Sequence, residues 1–256
     1  HDVDLYQHLV GRVNLIAALI REKHFAGAEN FIETTEPLVK TAFRLLYSNL
    51  LELRAQLHIF SGNYAKAQKV LTSAMNSVSE STHTSSYFLR KWEIILQLYQ
   101  DPKDHGAYDK LKKFKSEMKL IHRETYRDCD RFEAVLLKKK PRLLHLYFGT
   151  PFTAYRRRLI EDYPENILLP NSYDWNLGGF AKTKVATAPV FDVTEGRGLG
   201  ASLKRGSILH KLFFSLTLDF YRPMRVAVLH RHILPEVQFN PISSPRRVYE
   251  TVRRLR

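Results

Sequence analysis

The chain has 256 residues, 44% of them hydrophobic, with 40 Lys/Arg against 26 Asp/Glu and a net charge of +14. That apolar share excludes an intrinsically disordered chain, and the length suffices for two domains. The single cysteine, Cys129, excludes an internal disulfide and fits a reducing, cytoplasmic compartment, and no apolar run approaches the roughly 18 residues of a membrane span.

Residues 1–140 read as a helical domain, poor in Gly and Pro and with long 3.6-residue apolar periods. Leu9, Val13, Ile16, Leu19 and Ile20 form one stripe, and Leu46, Leu50, Leu53, Leu57 and Phe60 another. Two segments match at an offset of 39: Phe25-Ala26-Gly27-Ala28 aligns with Tyr64-Ala65-Lys66-Ala67. In the second copy, Leu53, Ala55, Gly62, Tyr64, Ala67, Leu71 and Ala74 place small residues where two helices cross. Gly62-Asn63 makes the turn, and Tyr64 fills the gap between the helices. At these residues the segment resembles a tetratricopeptide (TPR) repeat. His105-Gly106-Ala107-Tyr108 opens a degenerate third copy, with Leu111 where a small residue is expected. The resemblance implies stacked helical hairpins whose groove takes a protein or peptide partner.

Residues 141–185 read as a basic, aromatic helix and a connecting loop. Lys138 to Pro141 ends the helical domain, since Pro does not continue a helix. The segment mixes the aromatics Tyr147, Phe148, Phe152 and Tyr155 with Arg142, Arg156, Arg157 and Arg158. Rings between guanidinium groups can stack on single-stranded bases; alternatively they pack inward and leave a solvated basic face. The run from Tyr163 to Phe180, rich in Pro, Asn and Gly, reads as loop.

Residues 186–256 form the third segment. Pro189 to Val193 and Ala201-Ser202-Leu203 read as strands around a Thr194 to Gly200 turn. Ser207 caps a helix carrying Leu209, Leu212, Phe213 and Leu216. Met224 to Leu234 makes a second helix, with Val226, Leu229 and Ile233 inward. The last seventeen residues, Asn240 to Arg256, predict a third helix capped by Ser244, with Pro245 at its first position. Val248, Val252 and Leu255 make its apolar stripe, and Arg246, Glu250 and Arg253 share the opposite face.

The order strand–strand–helix–helix–turn–helix, with Arg247-Val248 and Arg253-Arg254-Leu255-Arg256, resembles the winged helix of OmpR-like response-regulator effector domains. The fold expected is therefore mainly α: a TPR-like helical-hairpin array plus a small α+β winged-helix domain whose wing is truncated. The resemblance implies binding of double-stranded DNA through the third helix. Arg246, Glu250 and Arg253 are the base-edge candidates. Arg247, Arg254 and Arg256 lie beside them as phosphate candidates, with Tyr249 between and Lys204, Arg222 and Arg225 extending the backbone contacts.

The charge distribution agrees. Residues 135–158 hold seven Lys/Arg and no acid, and residues 201–256 hold eleven against Asp219, Glu236 and Glu250. Catalysis and cofactors are not expected. Gly196-Arg197-Gly198-Leu199-Gly200 lacks the spacing of a dinucleotide loop, and His210, His230 and His232 lack a metal-site pattern. Cys129 lies between two aspartates, which disfavours a thiolate, and His122, Glu124 and the Glu161-Asp162 pair belong to no readable triad. The expected function is DNA-binding transcriptional regulation, with the helical domain receiving a signal or forming a homodimer. The rival is an interaction scaffold whose C-terminal module docks a protein.

Overall fold

The computed structural model describes residues 2–77, 83–170, 197–198, 201–219 and 224–255. The chain divides into two compact units, residues 1–121 and 122–256. Twelve helices make up almost all of the regular structure among the described residues.

The first unit contains α1 (Asp2–Arg21), α2 (Phe25–Lys40), α3 (Arg44–Phe60), α4 (Tyr64–Ser77), α5 (His83–Gln100) and α6 (His105–Ile121). Each helix packs on the next, and α3 also packs on α1 and α5. Leu9, Val13, Ile16 and Ile20 on α1 meet Ala28, Ile32 and Val39 on α2 and Leu46, Leu50, Leu53 and Leu57 on α3. Both apolar stripes are therefore core, with Leu19 and Phe60 half-buried at its edge. A polar link joins α3 to α5: the Trp92 indole N–H donates to Glu52 at 2.7 Å.

The offset of 39 is visible in the backbone. The α1–α2 turn closes with Lys23 N–H donating to the Ile20 carbonyl and His24 N–H to that of Leu19. The α3–α4 turn repeats both bonds, from Gly62 to Ile59 and from Asn63 to His58. This paired closure needs a left-handed residue after the helix, and both positions have it, Lys23 at φ 61° and Gly62 at φ 78°. Burial repeats too, at Ala28, Ile32 and Thr35 on α2 and at Ala67, Leu71 and Ala74 on α4. The third copy differs from expectation. Ala107, Leu111, Phe114 and Met118 are its buried residues, so Leu111 stands in the row of Ile32 and Leu71, and Ala107 supplies the small side chain. Its entry turn uses Asp104, whose carboxylate accepts from Ala107 N–H at 3.0 Å.

The second unit begins with α7 (Arg123–Leu136), α8 (Lys140–Gly149) and α9 (Thr153–Asp162). His122 caps α7, its Nδ1 accepting from Thr125 N–H at 3.2 Å. Pro141 corrects the expectation placed on it, since it lies in the first turn of α8 and opens a helix. Lys138, at φ 51°, makes the preceding turn. Ala134, Leu143, Leu146, Leu159 and Tyr163 form the core of these three helices.

Three further helices, α10 (Ile208–Leu218), α11 (Val226–Ile233) and α12 (Ser244–Leu255), each contact the other two. Ser207 caps α10 as expected, accepting from His210 N–H. Leu212, Leu229, Ile233 and Val248 are the core, and Val252 and Leu255 pack against it. Leu216, expected inside, is exposed. Ser244 is the first residue of α12 and not its cap. The Asn240 carboxamide caps the preceding turn by accepting from the Ile242 and Ser243 N–H groups, and Ser244 Oγ accepts from Asn240 N–H.

The winged-helix expectation is overturned here. Such a domain needs a small sheet and a β-hairpin wing. The β pairing among the described residues is one two-residue ladder, β1 (Arg197–Gly198) against β2 (Ala201–Ser202). Two residues cannot make a sheet with a face to bury. The part of Thr194 to Gly200 that is described is strand instead of turn, and the strand expected at Pro189 to Val193 lies outside the described residues. The C-terminal segment is a three-helix unit, and the fold is mainly α.

Candidate nucleic-acid interface

Helix α12 presents its arginines as its sequence period requires. Val248 is buried at 1% exposure and Thr251 is buried, so the residues between them turn outward. Arg246, Arg247, Tyr249, Glu250, Arg253 and Arg254 are all exposed. Arg246 Nε donates to Glu250 Oε1 at 2.9 Å across one helical turn. Among the described residues, Arg247, Arg253 and Arg254 have no ion pair. Tyr249, 59% exposed, lies among them. Lys204 and Arg225 are exposed as well, Arg225 at the N-cap of α11. Arg222 and Arg256 lie outside the described residues.

The other basic segment is built differently. Lys138 pairs with Glu165, Lys139 with Glu133, Arg142 with Asp130, Arg157 with Glu161 and Arg158 with Asp162. Arg156 donates to the Thr150 carbonyl and lies over the Tyr147 ring at 5.5 Å. The acids that pair with this run sit just outside it in sequence, on α7, at the end of α9 and just past it. Asp162 holds Arg158 and also Arg131, whose Nη1 approaches Oδ2 at 2.8 Å. Burial pushes the Arg158 guanidinium below its ordinary range, with the charge of Arg131 adding to it and Asp162 opposing.

The aromatic rings of this segment serve packing. Tyr147 and Tyr155 lie against the core of α7–α9. Burial raises the Tyr155 phenol well above its usual range. Phe152 remains 48% exposed, with Arg127 over its ring at 5.5 Å. Tyr147 and Tyr155 therefore form no open stacking platform. Glu161 and Asp162 are ion-pair partners, and Cys129 is buried.

Two features escaped sequence reading. Arg127 pairs with Asp219 at 3.2 Å, a link across 92 residues that no local pattern announces. His230 is fully buried against Phe239, and neither ring nitrogen has a hydrogen-bond partner. Among the described residues no group of three or more His, Cys, Asp or Glu could hold a metal ion, and no helix is long and apolar enough to cross a membrane.

The site thus belongs to a mainly helical chain, and on α12 it presents guanidinium groups without an ion pair among the described residues. No protein-family model, no curated protein and no solved structure matches the chain. The TPR and OmpR-like resemblances therefore define no family here, and the reading of the site rests on its own geometry.

Proposed function

We propose that the protein is a duplex-DNA-binding regulator in which α12 is the contact element. One observation carries the reading: Arg247, Arg253 and Arg254 project from a docked helix with no carboxylate holding them among the described residues, while most cations of the basic run before Tyr163 are paired with neighbouring carboxylates. A free guanidinium forks onto phosphate oxygens or onto a guanine edge, and each phosphate contact releases condensed counterions. A helix of twelve residues supported by two others has the dimensions to enter a major groove. Arg246 and Glu250, already paired, contribute shape and orientation more than charge. The helical-hairpin array α1–α6 is the partner-binding or sensing part.

The test is fluorescence anisotropy of the whole chain with labelled duplexes at several salt concentrations. Binding should weaken log-linearly with salt, and a set of duplexes enriched from a random pool should share a motif. Absence of duplex binding at low salt, or a salt response indifferent to substitutions on α12, would refute the reading. Preference for single strands over duplex would move the site away from α12.

A further inference from the structure

The helical array of the first unit carries a polar groove. Helix α5 packs on both α4 and α6. Between these two neighbours a cavity of about 410 Å³ opens onto the surface of α5. Arg90, Glu93, Ile94 and Gln97 line it from α5, Gln68 from α4, and Lys110, Lys113 and Phe114 from α6. Spacing explains the grouping, because residues three and four apart share one helix face, and both the α5 and the α6 sets are spaced that way.

Three cations face one carboxyl there. Arg90 is held in place over the Phe114 ring at 5.4 Å, and its guanidinium donates to the two Glu117 oxygens at 3.3 and 3.5 Å. Lys110 Nζ donates to Gln97 Oε1 at 3.1 Å. Lys113 and Glu93 have no hydrogen bond or ion pair among the described residues. Burial pushes the Glu93 carboxyl above its ordinary range, against the pull of Arg90 and Lys110. A carboxyl so placed gives up its charge readily when another anion approaches. The two carboxamides complete the set. Gln97, its oxygen taken by Lys110, keeps NH2 protons to donate. Gln68 donates to Thr72 Oγ1 at 3.4 Å and keeps its oxygen as an acceptor.

We infer that this groove binds an extended acidic peptide segment, its carboxylates on Lys110 and Lys113 and its main chain on Gln68 and Gln97. A carboxamide donor and a carboxamide acceptor on neighbouring helices match the C=O and N–H of a peptide unit. From Arg90 to Gln97 the helix rises about 10 Å, the length of about three extended residues. The charge of the lining favours a ligand with separate carboxylates. Glu93 lies in the floor of the groove, where a continuous row of phosphates would meet it. The inference rests on the reading of α1–α6 as the partner-binding part, and gives that part a location and a chemistry.

The experiment follows the anisotropy of a labelled, acetylated peptide of alternating Glu and Ala, titrated with the whole chain at constant ionic strength. Binding should saturate, and the same peptide with Gln or Lys in place of Glu should not bind. Lys110→Gln combined with Lys113→Gln should weaken it by at least about fivefold, the loss of two exposed ion pairs. Gln68→Ala combined with Gln97→Ala should weaken it by about threefold or more, through lost hydrogen bonds. Glu93→Gln should tighten it several-fold, and Glu33→Gln, an equal change of net charge on an exposed part of α2, should not. Arg247→Gln with Arg254→Gln should leave peptide binding as it is. Circular dichroism checks that each variant is folded. Peptide binding that survives the lysine pair, or that is lost with the α12 pair instead, overturns the inference. A single-stranded oligonucleotide that displaces the peptide and itself depends on Lys110 and Lys113 would reassign the groove to nucleic acid. Peptide binding in a chain that ignores duplex would refute the α12 reading alone, and duplex binding without peptide binding would overturn this inference alone.

Discussion

Arg253 and Arg254 are adjacent on α12, yet consecutive side chains of a helix diverge by about a quarter turn, so they address different parts of one duplex. Arg253 shares its face with the Arg246–Glu250 pair, three residues from Glu250. Arg253→Ala should therefore cost discrimination between duplex sequences, by about 1–3 kcal/mol at one base position, and Arg254→Ala should weaken all sequences alike. Competition among enriched and scrambled duplexes measures both. Uniform weakening by the first substitution would reassign Arg253 to the phosphates. A different residue bears on the acid sensitivity of the first unit. His58 is 6% exposed and its Nδ1 has no hydrogen-bond partner. Burial lowers its basicity, Lys66 and Arg54 add to that, and Glu29 opposes. The unfolded chain takes up a proton near the ordinary imidazole value of about 6.5, before the folded chain does. His58 thus leaves stability intact above that value and removes it as pH falls through the window down to the lowered folded value. His58→Met should flatten the loss of thermal midpoint between neutral and mildly acidic pH. An unchanged pH slope would show that other groups dominate.

At the scale of elements, the helix turns carry testable strain. Lys23 and Gly62 occupy the same left-handed position, 39 residues apart, with the same two closing bonds. A side chain with a Cβ is strained there by about 1 kcal/mol or more, and glycine is not. Lys23→Gly should raise stability by somewhat less than that, since glycine also loosens the unfolded chain, and Gly62→Ala should lower it by about 1 kcal/mol. Denaturant midpoints report both, and a destabilised Lys23→Gly variant would mean that the lysine stem contributes packing worth more than the strain. The sequence match at the same offset was readable because the repeating unit is local: a helix end, a turn and a small residue at a crossing. In the third copy the small position was placed one helical turn late, at Leu111 instead of Ala107; there Asp104 replaces the left-handed closure with a side-chain cap, a change of chemistry that leaves the burial spacing unaltered.

At the scale of the molecule, net charge is a poor guide to where a polyanion docks. Both basic segments look alike in composition, but five of the seven cations in residues 135–158 are held by carboxylates within the second unit. Duplex binding should follow that distinction. Arg247→Gln with Arg254→Gln should reduce the slope of log affinity against log salt by about 2, one for each lost phosphate contact. Arg157→Gln should leave the slope unchanged, because that guanidinium already faces Glu161 at 2.7 Å. Anisotropy at four or five salt concentrations separates the two outcomes, and equal effects would return the first basic segment to the interface.

Helix content, the buried stripes of α1 and α3, the repeated turn and the outward face of α12 were all legible in the chain, because each follows from periodicity and turn chemistry within about 40 residues. The β-rich half of the winged-helix reading was not sound. Its matching residues Arg247, Val248 and Arg253 to Leu255 lie on the third helix and say nothing about a sheet, and short apolar runs beside glycines favour a strand no more than a coil. The pairing of charges was only partly local. Arg157–Glu161 and Arg158–Asp162 are one helical turn apart on α9, but Lys139 with Glu133, Arg142 with Asp130, and Arg127 with Asp219 meet only because the chain folds back on itself, and that folding decided which of these cations are satisfied by the protein.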